Sequence, residues 1–431
     1  MSIDNEAIRF AGDVSIDKIE IISATGYGQE VTNQVIALEF YEDIFSPFIS
    51  GVLALKDSLD LANLFPFVGE EYVNLKIHTP SFKGKDKVID DQFYIFKMSN
   101  REMVGDRNVI YELHFMSREA VVDLNKKVSK CYQGKCSDIA KDIIGDKLNG
   151  LESTKPTIIE ETPNGVKFIS NYWPPVQSLN YAAETSSNAN GAASYMFFEN
   201  RYGLNFVSLE LLYKSEIVQE FIYDAYMRDF TADGRSIRNV DQEYKRIIEI
   251  SIPTVYDYVD RVKSGMYASK MTNHDITTKK YVVKHFDMLD DFPSNEHLNK
   301  YPSVSKKAIR RVGGMGFAYP KYYGNFNNFG DVTNARTIQK RISLIQQAEA
   351  TKVQIVVPGR TDYTVGQKVN LTLNKFNPIE KTDSPKDTLD NMFSGNYIIS
   401  AINHFINREK HECHMELIKD TFIVDLDNGA R

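Results

Sequence analysis

Four side chains able to hold a metal or carry a proton, His404, His411, Cys413 and His414, fall on the two arms of one hairpin pattern near the end of the 431-residue chain. Imidazole and thiolate are good zinc ligands. Neighbouring side chains of an extended strand face opposite ways, however, so Cys413 and His414 cannot reach one ion without a bulge. Packing and cross-strand pairing account for the group more simply, and no metal site is expected. Cys131 and Cys136 have no further ligands around them in sequence. Three cysteines, an odd number spread over a long chain, suit a reducing compartment and unpaired thiols.

Adjacent carboxylates occur at Glu70-Glu71, Asp90-Asp91, Glu160-Glu161 and Asp290-Asp291, and glycoside hydrolysis needs two such groups. Adjacent strand residues diverge, and nothing marks one acid as buried with a raised pKa, so these read as solvated turns and faces. Gly26-Tyr27-Gly28 lacks a third glycine in register, and the cluster Gly313-Gly314-Met315-Gly316 lacks the Lys-Ser or Lys-Thr that completes a phosphate loop. With no Gly-x-Ser-x-Gly elbow and no His-Glu-x-x-His helix, the expectation is a protein without catalytic residues or cofactor.

Lys306, Lys307, Arg310 and Arg311 form a basic cluster beside Phe317, Tyr319, Tyr322 and Tyr323. Cations interleaved with aromatics suit single-stranded nucleic acid, but they equally suit a docking arm for an acidic protein surface. Docking is the expectation, because the net charge of −7 gives the whole protein no attraction for polyanions. A chain of 42% hydrophobic and 25% charged residues has room for several cores. Its 24 Tyr and 25 Phe exceed what a core requires, and tyrosine favours partner-facing surfaces. Residues 1–13 contain no apolar signal segment and no apolar run approaches about 18 residues. Neither export by a signal peptide nor membrane insertion is expected, and folding is expected in cytoplasm.

The elements that must carry these residues are mostly strands. Alternation predicts strands at 18–23, 34–41, 51–56, 72–78, 92–98 and 109–116, divided by turn residues. From residue 119 the texture changes. Ser137 is a plausible cap for a helix with Ile139, Ala140, Ile143, Ile144 and Leu148 on one stripe, 176–187 reads as a second helix, and Asn200-Arg201-Tyr202-Gly203 turns a hairpin. A long hairpin spans 262–287, the stretch 290–331 is the least regular, and a helix covers 333–350.

The opening strands are written again near the other end. Val68-Gly69 and Val73-Asn74-Leu75 recur as Val365-Gly366 and Val369-Asn370-Leu371 with one residue fewer between them. Phe93-Tyr94-Ile95-Phe96 and its hairpin are echoed by Asn396-Tyr397-Ile398-Ile399 and the hairpin that follows. The fold class expected is mainly β with α+β inserts, built on two related small antiparallel β-barrels. Their bounds are 1–118 for the first, 119–222 for an α+β insert, 223–265 with 333–425 for the second, 266–332 for a hairpin and docking insert, and 426–431 for a tail.

Val357-Pro358-Gly359, the run from Tyr363 to Val369, Gly395-Asn396-Tyr397-Ile398-Ile399 and the hairpin ending at Lys419 resemble the second barrel of the central baseplate hub protein of contractile-tailed, T-even-like phages. The same barrel occurs in the hub half of type VI secretion spike proteins, and the insert with its hairpin at 195–208 looks like the α+β element between barrels there. The resemblance spans 16–425. It implies a homotrimeric ring in which three chains present six similar domains, joining a sixfold tail tube to a threefold spike. Implied partners are further copies of the chain, a spike protein, a tail tube or tube-initiator protein and neighbouring baseplate proteins, with DNA only passing through the lumen. The implied location is the tail baseplate of a virion, assembled in host cytoplasm.

No lysozyme-like stretch, needle repeat or peptidoglycan-binding motif is present, so the spike is expected to be a separate chain. Other readings are the hub of a type VI-like or extracellular injection apparatus and a tail-associated cell-wall hydrolase. The strand at 93–98 is apolar on both faces, so Phe93 and Ile95, with their counterparts Tyr397 and Ile399, are expected at subunit contacts. On that expectation Ile95→Asp blocks ring formation and leaves a soluble monomer, as sedimentation checks. Deleting 313–327 is expected to abolish assembly with neighbouring tail proteins in a pull-down.

Overall fold

The computed structural model describes residues 8–427 apart from 59, 62–66, 83–86, 105–107, 164, 224–238, 255, 276–278, 309–314, 322–336 and 376–388. Its first unit is built from β1 (Ser15–Ile22), β2 (Gly28–Glu30), β3 (Val35–Asp43), β4 (Ser50–Asp57), β5 (Tyr72–His78), β6 (Val88–Val104) and β7 (Asn108–Met116). Alternation in these strands sends Leu38, Phe40, Leu53, Leu75, Phe93 and Phe115 into one core while Glu39, Ala54, Lys76 and Glu112 face out. The strands lie in the order β3-β4-β7-β6-β5-β1-β2.

The α+β insert follows, with α1 (Arg118–Asn125), β8 (Val128–Lys135), α2 (Cys136–Gly145), β9 (Thr157–Ile159), β10 (Gly165–Trp173), α3 (Pro175–Thr185), β11 (Tyr195–Asn200) and β12 (Gly203–Ser208). β8 and β10 form one hairpin and β11-β12-β9 a small sheet, around a core that includes Ile139, Ile143, Leu179 and Phe206. Gly203 turns the β11–β12 hairpin at φ +134, and a Cβ there would stand 2.1 Å from the Pro156 carbonyl oxygen. The insert is tied to the first unit by charge. The Glu199 carboxylate accepts from the Ile49 N–H at 3.1 Å, and Lys155 lies between Glu199 and Glu119.

The second unit consists of β13 (Ile217–Tyr223), β14 (Glu249–Thr254), β19 (Thr351–Pro358), β20 (Lys368–Leu373), β21 (Gly395–Asn407) and β22 (His411–Lys419). Between β14 and β19 the chain makes β15 (Ala268–Asp275), β16 (Lys280–Asp287), β17 (Tyr301–Pro302), β18 (Met315–Lys321) and α4 (Ile338–Ala348). β23 (Thr421–Phe422) pairs with β17. The order β14-β19-β22-β21-β20-β13 repeats β3-β4-β7-β6-β5-β1 strand for strand. Details repeat too. A bulge interrupts β6 between Ile95 and Lys97 and β21 between Ile399 and Ala401. The Ile95 N–H donates to the Glu71 carbonyl at 2.9 Å, and the Ile399 N–H donates to that of Gln367 at 3.0 Å. In each copy the same residue's side chain, Glu71 or Gln367, accepts from the N–H three positions earlier. The duplication is therefore one of backbone architecture, not of a short string.

Several expectations need correction. The strand echo is offset by one, because the shared bulge places Phe93 opposite Tyr397 and Ile95 opposite Ile399 in the superposed order. β13 pairs with β20, so the strand at 217–223 joins the sheet of the second unit. That pair is parallel where β1 and β5 are antiparallel, since the chain enters from the insert rather than from a neighbouring turn. α2 starts at Cys136 with Lys135 as its cap, and Leu148 lies beyond the helix, 84% exposed. The stretch 290–331 includes a strand, β18, parallel to β15.

Phe93, Ile95, Tyr397 and Ile399 are at most 2% exposed and belong to the two cores. Their side chains are taken up by packing inside the two units. The stretch reads doubly apolar because the bulge after Ile95 shifts the alternation by one, so that Met98 packs against the first core while Phe96 points outward, 45% exposed. Ile95→Asp is therefore expected to bury an unpaired charge and unfold the first unit, and Ile95→Ala to cost about 2–5 kcal/mol in urea titration. A soluble, folded Ile95→Asp monomer would contradict this. A second test concerns His297, whose Nδ1–H donates to the Asp420 carboxylate at 2.6 Å and whose ring stacks on Phe292. Burial opposes its protonation, but the Asp420 carboxylate outweighs burial and lifts the imidazole above its ordinary pKa. The pair's stabilisation is then full below the ordinary value of about 6.5 and fades as pH rises through the raised folded value. Thermal melts across that interval are expected to show this slope in the native protein and lose it in His297→Asn.

Candidate functional site

Every interior strand of a sheet needs a partner on both sides, and the two units solve this by sharing β21. Its first part pairs with β20 inside the second unit, while residues 401–407 pair with β3 of the first, from Ala401 opposite Asp43 to Asn407 opposite Ala37. The two sheets become one sheet of 13 strands. Ile406, near the tip of β21, is 0% exposed and lies in the core of the first unit. Arg408 continues the joint by donating to the Val35 carbonyl at 3.2 Å. A ladder and an apolar plug thus fix the two units against each other.

The repeat makes the partners of this joint identifiable at the chain's two ends. The counterpart of residues 401–407 is the tip of β6, 97–104, which has β7 on one side and, among the described residues, no strand on the other. The counterpart of β3 is β14, which among the described residues pairs only with β19. Met103 pairs with Val109 as Ile406 pairs with His411, so Met103 stands where the plug stands. It is 78% exposed. On the receiving side Leu38 is buried in the first core, whereas its counterpart Ile250 and nearby Ile252 are only partly buried against the second. Pro253 sits in β14, in keeping with an edge position. One chain therefore carries a completed joint and its two unmated halves.

The outward face of the strands from β14 to β6 is polar and continuous across the joint. Carboxylates at Glu39, Asp43, Glu112, Glu249, Glu412 and Glu416 outnumber the lysines Lys56, Lys97 and Lys352. Lys352 is itself held by Glu349 at 2.9 Å and Glu416 at 3.5 Å. Burial raises the Asp43 carboxyl above its ordinary range. The second unit's part of this face is a depression of about 470 Å³ bounded by Glu249, Gln354, Asn403, His414 and Glu416.

Beneath the joint lies a cluster that sequence reasoning dismissed. His411 and Cys413 are two apart on β22 and face inward together, and His404 on β21 pairs directly with Cys413. Their ligand atoms lie within 4.8 Å of one another and all three residues are 0% exposed. His414 faces out. The earlier objection compared Cys413 with His414, when the spacing that mattered was 411 to 413 with 404 across the ladder. Glu42 on β3 adds a carboxylate oxygen 3.8 Å from His404 Nε2. Burial pushes Glu42 up to about 7, lowers His411 to about 3 and His404 well below its ordinary value, and raises the Cys413 thiol.

Lys306 and Lys307 are exposed, and the Lys306 N–H donates to the Asp427 carboxylate at 3.0 Å. Phe317 and Tyr319 lie two apart on β18. Arg310, Arg311, Tyr322 and Tyr323 lie outside the described residues. Among the described residues no helix is long and apolar enough to cross a membrane.

No known family profile matches the sequence, and no curated protein matches it by sequence. Solved structures do match in shape. A tail protein from Neisseria meningitidis MC58 aligns with TM-score 0.55 and 10% identity over 94% of this chain and 96% of that one. The 43 kDa tail protein of prophage MuSo2 from Shewanella oneidensis aligns with TM-score 0.52 and 7% identity over 94% and 98%. A weaker likeness, TM-score 0.41 at 8% identity over 94% and 76%, is to an E. coli component of the type VI secretion system. At these identities the likeness is one of fold, and over nearly its whole length the chain has the fold of those two tail proteins.

Proposed function

We propose that this chain is a non-enzymatic structural subunit of a contractile phage tail, three copies of which form the baseplate hub between tail tube and spike. The observation that carries the reading is the pair Ile406 and Met103: equivalent positions on equivalent strand tips, one buried in the neighbouring unit's core and the other 78% exposed. Pairing the β6 tip of one copy with β14 of the next reproduces the internal joint between chains. That contact is head to tail, the kind that generates a ring when the rotation between copies closes, and three copies per ring is the closure proposed. Three chains then supply six similar units, which gives a sixfold tube and a threefold spike a common support. The nearly full-length likeness in fold to two tail proteins supports the same reading.

In such a ring the polar outward face is the lumen wall. Its excess of carboxylates discourages phosphate contacts, so DNA passes without being held. A spike protein, a tube or tube-initiator protein and neighbouring baseplate proteins complete the set of partners, and residues 306–323 remain the proposed docking arm. Native mass spectrometry, with and without a spike partner, is expected to find three times 49.2 kDa. Met103→Asp is expected to leave the melting temperature unchanged, because the side chain is solvated in the single chain, and to abolish the trimer. A wild-type protein that stays monomeric with its partners, or a Met103→Asp protein that still assembles, would overturn the proposal.

A further inference from the structure

We infer that His404, His411 and Cys413 hold a single structural zinc ion at the joint between the two β units. His404 Nδ1 lies 3.0 Å from His411 Nε2, and Cys413 Sγ lies 3.3 Å and 3.5 Å from those nitrogens. A tetrahedral zinc with Zn–N of about 2.05 Å and Zn–S of about 2.3 Å requires edges of about 3.4 Å between nitrogens and about 3.6 Å from nitrogen to sulfur. The three ligand atoms thus stand close to the corners of one face of such a coordination sphere.

A purely hydrogen-bonded triangle is the competing arrangement. Each neutral imidazole has one N–H and one lone pair. If one ring donates to the other across the 3.0 Å contact, the donor's outer nitrogen is left as an acceptor and the acceptor's outer nitrogen as a donor. Among the described residues neither His404 Nε2 nor His411 Nδ1 has a hydrogen-bond partner. With zinc on the inner nitrogens, both outer atoms are N–H groups. That of His404 then faces the Glu42 carboxylate at 3.8 Å, the carboxylate–imidazole–metal order that orients zinc ligands. The charges balance as well, since a thiolate and the Glu42 carboxylate offset a dication in a site with no exposed member.

The donor set selects the ion. Two imidazoles and a thiolate suit a borderline-soft metal, and the absence of carboxylates among the inner ligands disfavours calcium and magnesium. No fourth His, Cys or carboxylate ligand atom joins the cluster among the described residues, so the last position falls to a ligand outside that set. The residues also explain what the ion is for. His404 stands on β21 opposite both Cys413 of the second unit and Phe40 of the first, and Glu42 belongs to the first. A zinc ion here pins the shared strand to both sides of the joint and fixes the angle between the units.

Metal analysis of the full chain purified without chelator is expected to return about one zinc per chain, falling below about 0.1 in Cys413→Ser and in His404→Gln and staying near one in His414→Asn. Removing zinc is expected to lower the melting temperature by about 5 °C or more, and zinc to restore it. Should the ligand variants fail to fold, cobalt added to the stripped wild-type protein must give thiolate-to-metal charge-transfer absorption at one equivalent. A wild-type protein that contains no zinc and takes up neither zinc nor cobalt overturns the inference. So does another metal at that stoichiometry, or zinc retained in Cys413→Ser.

Discussion

The pairing of strand edges governs this molecule. A backbone N–H or C=O removed from water without a partner costs roughly as much as a lost hydrogen bond, so each exposed edge must be paired, covered or left in solvent. Within one chain the edge of β3 is covered by the second part of β21, and Ile406 enters the first core through that contact. The same covering is not available to β14 or to the tip of β6, because their counterparts have already paired with each other. Tandem duplication of the unit therefore creates one internal joint and leaves two complementary halves of another.

The rest of the architecture is arranged around that joint. The α+β insert sits between the repeats in sequence but grips the first unit through Glu199 and Lys155, and Arg341 of α4 reaches back to the carbonyls of Ala193 and Tyr195. These contacts lie away from the polar outward face of the large sheet, which stays open across both units. Beneath it, the buried histidines, Cys413 and Glu42 concentrate the polar groups that an otherwise apolar core would exclude. Such groups are tolerable where they are held together, and the joint is where the most strands converge.

Much of this was legible in the amino-acid sequence, and the gaps have physical causes. Strand 72–78 was placed residue for residue, and the repeat of Val73-Asn74-Leu75 in Val369-Asn370-Leu371 gave the duplication, because period-two alternation survives wherever one face is buried. The burial of the doubly apolar stretch around Phe93 was not legible, because a bulge shifts the alternation by one residue, which no local pattern announces. The joint itself was invisible: whether residues 401–407 pair with β3 depends on register between segments far apart in sequence. The histidine and cysteine cluster was missed for a nearer reason, since the pair tested was adjacent in sequence when the informative one was two residues apart with its third member across the ladder.

Electron cryomicroscopy of the assembled particle tests the central claim most directly, because it shows which strand edges meet between chains. Residues 97–104 of one copy are expected to run antiparallel to 249–254 of the next, with Met103 inside the neighbouring second core beside Ile250. A ring in which both edges remain in solvent, or in which copies meet through other surfaces, would contradict the account.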